Sequence, residues 1–381
     1  MAKYEIKDGV GIIPEGTTRI KFGAFFECKD LKSITLPNSV TRIGIDAFYG
    51  CTGLTSIIIP DSVIIIESGA FYGCTSLTSI TIPDSVKEIG ESAFKGCTGL
   101  TSITIPDSVT RIGNGAFEGC TGLTSIVVTE GNKKYDSRYN CNAIIETDDN
   151  YLFVGCAATT IPDSVTEIGW YAFEGCTGLT SIVIPDSVTW IGPSAFEGCT
   201  GMTSITIPDS VTEIGEGAFI GCTGLTSITI PDSVTVIGPS AFEGCTGLTN
   251  ITIPDSVTWI GIGAFKGCTG LTSIIVASGN KVFDSRDNCN AIIETEKNIL
   301  LAGCKSTVIP NSVKEIDSRA FEGCTGMTSI TIPASVTRIG NGAFLDCSSL
   351  KVINVPAKKA DYYKKLLCKE LHHFIVELPS E

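Results

Sequence analysis

Cysteine is the residue of this sequence with the most obvious capacity for redox or metal chemistry, since 17 of the 381 residues are Cys. Metal binding would need close C-x-x-C pairs, and the sequence contains none. A disulfide framework would need a unique pairing, but the total is odd and each regularly spaced Cys has two equivalent neighbours. We therefore predict a ladder of buried free thiols, which behave as small hydrophobic groups and suit a reducing compartment. Twelve cysteines form the ladder: Cys28, Cys51, Cys74, Cys97, Cys120, Cys176, Cys199, Cys222, Cys245, Cys268, Cys324 and Cys347.

A second regular series consists of aspartates that follow a proline. Stacked carboxylates could bind calcium between repeats. The G-G-x-G-x-D motif of calcium-binding solenoids is absent, however, and Asn38, Asn311 and Ala334 occupy the same position without a charge. We interpret the aspartates as turn residues whose side chains accept a backbone N–H, and we predict no metal site. The series is Asp61, Asp84, Asp107, Asp163, Asp186, Asp209, Asp232 and Asp255.

Catalysis has little support in the sequence. The only histidines are His372 and His373 near the C-terminus, so the body lacks the side chain that titrates near neutral pH. Serine recurs without a neighbouring base, and equivalent acids in every repeat single out no site. We predict no enzymatic activity and no cofactor. The net charge of −14 argues against nucleic acid as a partner, and no apolar run approaches the ~20 residues that span a membrane.

Aromatic residues at variable positions of the repeat are the remaining candidates for binding. The repeat varies just before its I-G dipeptide, just before its A-F dipeptide and just after A-F. Exposed aromatic residues are enriched at protein interface hot spots, although rings that lie flat on a neighbouring repeat would be structural. We predict a partner-binding set of Trp190 and Trp259 at the first position, Trp170 and Tyr171 at the second, and Tyr49 and Tyr72 at the third.

The frame that carries these residues is a repeat of 23 residues, L-T-S-I-T-I-P-D-S-V-T-x-I-G-x-x-A-F-x-G-C-T-G. Prolines mark the period from Pro14 to Pro356, and Ala-Phe pairs keep the same spacing. Two gaps of 56 residues contain lengthened coils at about 129–160 and 277–308, which are related by a super-repeat of 148 residues. A period of this length with L-x-x-I-x-I indicates a solenoid whose coils bury apolar side chains against their neighbours.

The repeat predicts an α/β solenoid, a right-handed stack of about 15 coils that is roughly 70 Å long. We expect a parallel β-sheet on one face from the I-T-I segments, and one or two helical turns at x-x-A-F-x-G-C. The lengthened coils are expected to form hairpin-like excursions. The predicted divisions are an N-terminal capping coil (1–30), the solenoid (31–356), and a C-terminal part (357–381) whose capping helix covers 360–375.

The repeated unit closely resembles the BspA-like leucine-rich repeat of bacteria and some mucosal protozoa, over about residues 10–356. This resemblance implies a non-catalytic, adhesion-type protein at the cell surface or secreted, with a host or extracellular-matrix protein as partner. The first residues carry no signal sequence and no wall anchor is evident, so a cytoplasmic location is expected if the chain is full length. The alternatives are an intracellular scaffold or structural repeat protein, and glycan binding through the exposed Trp and Tyr residues.

Overall fold

The computed structural model describes residues 4–379, which divide into two compact units. The first unit runs to Val188 and includes Ala195–Cys199, and the second comprises Thr189–Ser194 and the residues from Thr200 onward. Each unit is a solenoid of stacked coils. Every regular coil has an S-I-T side, an x-I side and an Ala-Phe side, named after the residues that form them.

The core of each coil is the set of apolar residues that the repeat places at fixed positions. Leu54, Val63, Ile66 and Phe71 of one coil are fully buried. The rings of successive Ala-Phe pairs stack, with centroids 5.2 Å apart for Phe48 and Phe71. Burying one such side chain contributes about 1.5–3 kcal/mol. Because each ring in these stacks is covered by the ring of the next coil, stability accumulates from neighbour to neighbour, as predicted.

The S-I-T side carries parallel strands that pair in register, for example Ser33 with Ser56 and Ile34 with Ile57. The middle Ile points inward while the flanking polar residues face outward, which gives the predicted alternation. In the first unit these strands are Ser33–Thr35, Ser56–Ile58, Ser102–Ile105 and Ser125–Val128. In the second unit they are Ser204–Thr206, Ser227–Thr229, Asn250–Ile253, Ser273–Val276, Ser329–Thr331 and Val352–Val355.

The x-I side forms a second parallel ladder from strands of two residues. Its Ile is directed into the core, and the residue before it faces solvent or is half-buried. In the first unit the strands are Arg19–Ile20, Arg42–Ile43, Ile65–Ile66, Glu88–Ile89, Arg111–Ile112 and Glu167–Ile168. In the second unit they are Trp190–Ile191, Glu213–Ile214, Val236–Ile237, Trp259–Ile260, Glu315–Ile316 and Arg338–Ile339.

The Ala-Phe side consists of turns, so the prediction of helical turns there is wrong. Its N–H groups alternate: Ala47 donates to Gly44 O within the coil at 3.1 Å, and Phe48 donates to Ala70 O of the next coil at 2.8 Å. A helix would keep both donors inside the coil. The residue before Ala lies in the left-handed region, as at Asp46 (φ 52°) and Gly69 (φ 62°), which explains why Gly, Ser and Asp recur there.

The first coil is covered by an antiparallel hairpin of Glu5–Lys7 and Val10–Ile12. Its second strand pairs in parallel with Ser33–Thr35, and the ring of Tyr4 stacks on Phe25. The predicted capping coil extends from residue 1, and residues 1–3 lie outside the described part. A hairpin at this position protects the core of the first coil from water.

The C-terminal helix is shorter than predicted. It covers Ala360–Leu366 and is followed by a 3-10 helix, Lys369–Phe374, and a strand, Ile375–Glu377. That last strand pairs in parallel with Val352–Val355. The strand begins at Ile375, the last residue of the predicted helix, and it satisfies backbone groups that an unpaired edge of the S-I-T ladder would leave open. Within residues 4–379 no helix is long and apolar enough to cross a bilayer.

Each lengthened coil contains three short strands in antiparallel order and a 3-10 turn. The first has Tyr135–Asp136, Arg138–Asn140, Ile144–Glu146 and Tyr151–Val154. The second has Phe283–Asp284, Arg286–Asn288, Ala291–Glu294 and Ile299–Gly303. Both hairpins pair in parallel with the following x-I strand. Ile144, Ile145 and Leu152 are fully buried, so the first hairpin is built into its solenoid.

Candidate binding surfaces

Ten of the twelve ladder cysteines are buried, as predicted, and Cys28 and Cys324 are half-buried. The thiols have a structural role. The Sγ–H of Cys51 donates to Phe25 O of the preceding coil at 2.9 Å, and Cys97 donates to Phe71 O at 3.1 Å. Burial raises the pKa of the Cys51 thiol to about 12. Because the thiolate is the form that attacks electrophiles and binds metals, these groups are poorly suited to either task. Among residues 4–379 no three His, Cys, Asp or Glu side chains are arranged to hold a metal ion.

The aspartate series does not accept backbone hydrogen bonds, so this interpretation is wrong. The Pro-Asp-Ser-Val turn is closed by its own backbone, with Val63 N–H donating to Pro60 O at 3.1 Å. The serine makes the contact between coils, since Ser62 Oγ–H donates to Val40 O at 2.6 Å. The Asp61 carboxylate is exposed and has no hydrogen-bond donor in the described chain. Serine therefore joins the coils, and aspartate contributes surface charge.

Tyr49 and Tyr72 lie in a stack of rings on the Ala-Phe side of the first unit. Their ring centroids are 4.6 Å apart, and Phe26 stacks on Tyr49 at 4.8 Å. The ring faces cover one another, so mainly ring edges are presented to solvent along the stack. A sugar packs on the open face of an aromatic ring, which this arrangement does not favour. The sequence analysis missed Phe26, although its position directly after Ala24-Phe25 was the available signal.

Trp190 and Trp259 belong to one row of side chains on the x-I side of the second unit. Four strands pair in register, so that Trp190, Glu213, Val236 and Trp259 follow one another. We name these four residues the tryptophan row. Trp190 is half-buried, Trp259 is 48% exposed, and nearby Ile262 is 65% exposed. The two indoles are three strands apart, about 14 Å, so they do not contact each other.

The same positions in the first unit carry different side chains. The residues 148 positions before Trp190 and Trp259 are Arg42 and Arg111, and Arg111 forms an ion pair with Glu88 at 2.8 Å. The frame thus accepts a cationic or an aromatic side chain at one position. Packing within the coil does not demand tryptophan there, so its presence calls for an explanation outside the core.

Trp170 and Tyr171 lie next to each other on the Ala-Phe side of the first unit. Trp170 is 51% exposed, and its backbone N–H donates to Tyr151 Oη at 3.0 Å. Tyr171 has a φ of 59°, which is uncommon for a bulky residue and costs conformational energy. The structure therefore does not bring the six predicted residues into one site. It places them in separate groups, in which Tyr49 and Tyr72 form a ring stack and Trp170 and Tyr171 are neighbours in sequence.

An acidic group beside Tyr171 was missed by the sequence analysis. The position after Ala-Phe holds Lys95, Glu118, Glu174 and Glu197, and the Lys95 ammonium pairs with Glu118. Glu174 Oε2 has no hydrogen-bond partner in the described chain. Burial, together with the charges of Glu118 and Glu197, raises the pKa of Glu174 to about 8. This carboxyl group therefore changes its charge near neutral pH.

The lengthened coil brings these acids together. Glu118 and Glu174 are 56 residues apart, but the inserted coil has no Ala-Phe pair, so Gly175 lies against Gly119. A Cβ on Gly175 would approach the Gly119 Cα to 3.8 Å. In the second unit the equivalent position to Glu174 is Glu322, which Lys266 contacts at 3.1 Å. In the second unit Glu322 therefore has a cationic partner. In the first unit the equivalent Glu174 lies among other carboxylates instead.

Comparison with known proteins places this architecture in a family. A model described as "BspA type Leucine rich repeat region", in six copies, matches residues 18–146, 146–272 and 300–378. No curated protein matches the sequence.

Three solved structures are similar. A leucine-rich repeat protein from Eubacterium ventriosum is 26% identical, with a TM-score of 0.66, covering 87% of this chain and 81% of that one. A leucine-rich repeat protein from Bacteroides ovatus is 29% identical, with a TM-score of 0.52 and coverage of 97% and 94%. A leucine rich cell surface protein from Faecalibacterium prausnitzii is 32% identical, with a TM-score of 0.53 and coverage of 72% and 86%. From the stacked coils and these matches we conclude that the chain belongs to the BspA-type leucine-rich repeat family.

Proposed function

We propose that this chain is a non-catalytic binding protein that uses the tryptophan row to engage a protein partner. The observation that carries the proposal is the exposure of Trp259 on a frame that takes Arg111 at the equivalent position. Tryptophan, with tyrosine and arginine, is among the side chains enriched at interface hot spots. Val236 and Ile262 extend the apolar area beside Trp259, and Glu213 and Glu216 add acidic groups.

The partner that fits this surface has an apolar projection flanked by basic residues, because the row combines indole rings with carboxylates. The related protein from F. prausnitzii is described as a cell surface protein, which supports an adhesion-type role at the surface of the cell. A host or extracellular-matrix protein is then the expected partner class.

The test compares two double variants at equivalent positions of the two halves of the super-repeat. Trp190→Arg with Trp259→Arg places the arginines of the equivalent positions at the two ends of the row, and Arg42→Ala with Arg111→Ala is the control in the other half. On an array of matrix and host proteins we expect at least one ligand whose affinity falls about tenfold or more in the tryptophan variant. The control should retain binding. Binding that is indifferent to both tryptophans would refute the proposal, as would no binding by correctly folded protein.

An intracellular scaffold is the second candidate, and the thiol ladder supports it. Each S–H that donates to a Phe carbonyl would lose that hydrogen bond if the sulfur entered a disulfide. The fold is therefore built around the reduced form of cysteine. Fractionation of the native cells separates the two candidates, because protein confined to the cytosol would rule out adhesion.

A further inference from the structure

We propose that the Ala-Phe side of the last coil binds an extended peptide segment that carries a basic residue. A groove of about 860 Å³ lies there, between residues 339–348 and residues 366–371. We name it the terminal groove. It shares no residue with the tryptophan row, and its test does not depend on the function proposed above.

The first argument is a set of backbone donors that the next coil would normally use. In the preceding coil the N–H groups of Arg319, Phe321 and Gly323 donate to the last coil at 3.2, 2.8 and 2.9 Å. The equivalent residues of the last coil are Gly342, Phe344 and Asp346. Within residues 4–379 the N–H groups of these three residues have no acceptor. They are two residues apart, which is the spacing at which an added strand accepts hydrogen bonds.

The C-terminal segment does not accept hydrogen bonds from these N–H groups because it pairs with the S-I-T side of the coil. Its strand Ile375–Glu377 completes the ladder of Val352–Val355, on the S-I-T side. The helix Ala360–Leu366 is anchored by Tyr363, whose hydroxyl donates to Pro333 O at 2.9 Å. The S-I-T side is thus capped, whereas the Ala-Phe side ends in an open row of donors.

The second argument is the character of the groove. Its walls include Leu345, which is 52% exposed, and the side chains of Leu366 and Leu371. Asp346 and Glu370 line it as well, and both are exposed. Two carboxylates disfavour an anionic ligand and favour a cationic one, while the leucines favour an aliphatic or aromatic side chain.

In regular coils, the Ala-Phe segment of the next coil accepts the hydrogen bonds of the equivalent N–H groups. Residues 262–267 read I-G-A-F-K-G, and the carbonyl groups of Ile262, Ala264 and Lys266 accept the N–H groups of the preceding coil. The lysine of this segment, Lys266, pairs with Glu243 of the preceding coil at 2.8 Å. A segment with a small residue, an aromatic residue and a lysine in this order therefore has the carbonyls, the apolar group and the charge that the groove requires.

The experiment measures hydrogen–deuterium exchange in the full chain with the blocked peptide IGAFKG at about 1 mM. We expect slower exchange in residues 340–348, where the free donors lie, and no change in the donors of the preceding coil, which are already bonded. The peptide IGAFEG, with Glu in place of Lys, should protect this region less. Asp346→Asn with Glu370→Gln should weaken the IGAFKG effect about threefold, the size expected for surface ion pairs.

The control variant is Asp232→Asn, which removes an exposed carboxylate from a regular coil of the same unit. It should leave peptide binding unchanged, and circular dichroism checks that each variant folds. Absence of protection at residues 340–348 overturns the proposal. Protection that appears without peptide as the protein concentration rises also overturns it, since the occupant would then be a second copy of the chain.

Discussion

At the residue scale, Glu174 is a carboxyl group whose charge changes near neutral pH, so its effect on stability can be measured. Its pKa is raised from 4.5 to about 8 in the folded protein, so the folded state binds a proton more tightly than the unfolded state. Stability contributed by this proton is present below pH 4.5 and is lost as the pH rises to 8. We expect Glu174→Gln to raise the stability at pH 9 by roughly 1 kcal/mol, a value reduced for solvent screening. Thermal unfolding at pH 5 and pH 9 measures this difference.

The matched control for Glu174 is Glu322, its equivalent in the second unit. Glu322 is 4% exposed and lies near two cations, Lys266 at 3.1 Å and Arg319 at 3.6 Å. Glu322→Gln removes an acid that is paired, so it should lower stability at pH 9. If both substitutions change stability in the same direction, the contrast between the two clusters is wrong.

Tyr135 provides a second comparison between the two halves of the super-repeat. Its Oη accepts the N–H of buried Ile112 at 3.0 Å, and the residue 148 positions later is Phe283. We expect Tyr135→Phe to lower the free energy of unfolding by about 1–2 kcal/mol, because a buried N–H loses its acceptor. Urea denaturation measures the change. Phe283→Tyr is the reciprocal control, and a loss of stability as large as that of Tyr135→Phe would contradict this account.

The candidate residues were predictable to different degrees. The positions that vary in the repeat identified Trp259 and Trp170, which are indeed exposed. The proximity of Glu174 to Glu118 was not predictable. It arises because the lengthened coil between them has no Ala-Phe side, which the sequence period does not reveal. A period describes neighbours that are 23 residues apart, and it does not describe contacts across an insertion.

At the scale of the element, the cysteine ladder predicts how the protein reacts with thiol reagents. Of its 17 free cysteines only Cys368 is exposed. We expect a rapid reaction of Cys368, a slower one of the half-buried Cys28 and Cys324, and reaction of the buried thiols only as the coils open. A time course with a chromogenic disulfide reagent measures these phases. Cys368→Ser should abolish the rapid phase, and several rapid thiols in this variant would show that the ladder is accessible.

The elements were predictable from the sequence where a single pattern determines both the spacing of the side chains and the direction in which they point. The S-I-T strands follow from alternation, and the fully buried Phe71 follows from the period. The Ala-Phe turns were mispredicted as helical. Their N–H groups donate alternately within the coil and to the next coil, and the hydrophobic pattern of the sequence does not show this hydrogen bonding. The C-terminal helix was predicted too long for a related reason. Leu371 and Phe374 have helical spacing, but they precede a strand that completes the sheet edge.

At the scale of the whole molecule, nearest-neighbour stacking predicts that a complete coil can be removed. Deleting residues 38–60 removes one full period and joins Pro37 to Asp61, which are consecutive positions of the repeat, so the register of all remaining coils is preserved. We expect a folded protein with reduced stability by circular dichroism and urea titration. Deleting only residues 38–48 should prevent folding of the first unit, because the inward and outward faces no longer align. Equal stability of the two deletions would contradict the model of stacked coils.

The three separate ladders between coils have a mechanical consequence. A coil that is pulled away gives up short rows of hydrogen bonds and one stacked ring, while the coils behind it keep all of theirs. Extension under force should therefore proceed in steps, with each regular coil releasing 23 residues or roughly 75 Å of chain. Single-molecule stretching would record a saw-tooth of even spacing for the regular coils with longer steps at the two lengthened ones, and rupture in one event would contradict it. A tether with this property lengthens under load and dissipates energy before it breaks.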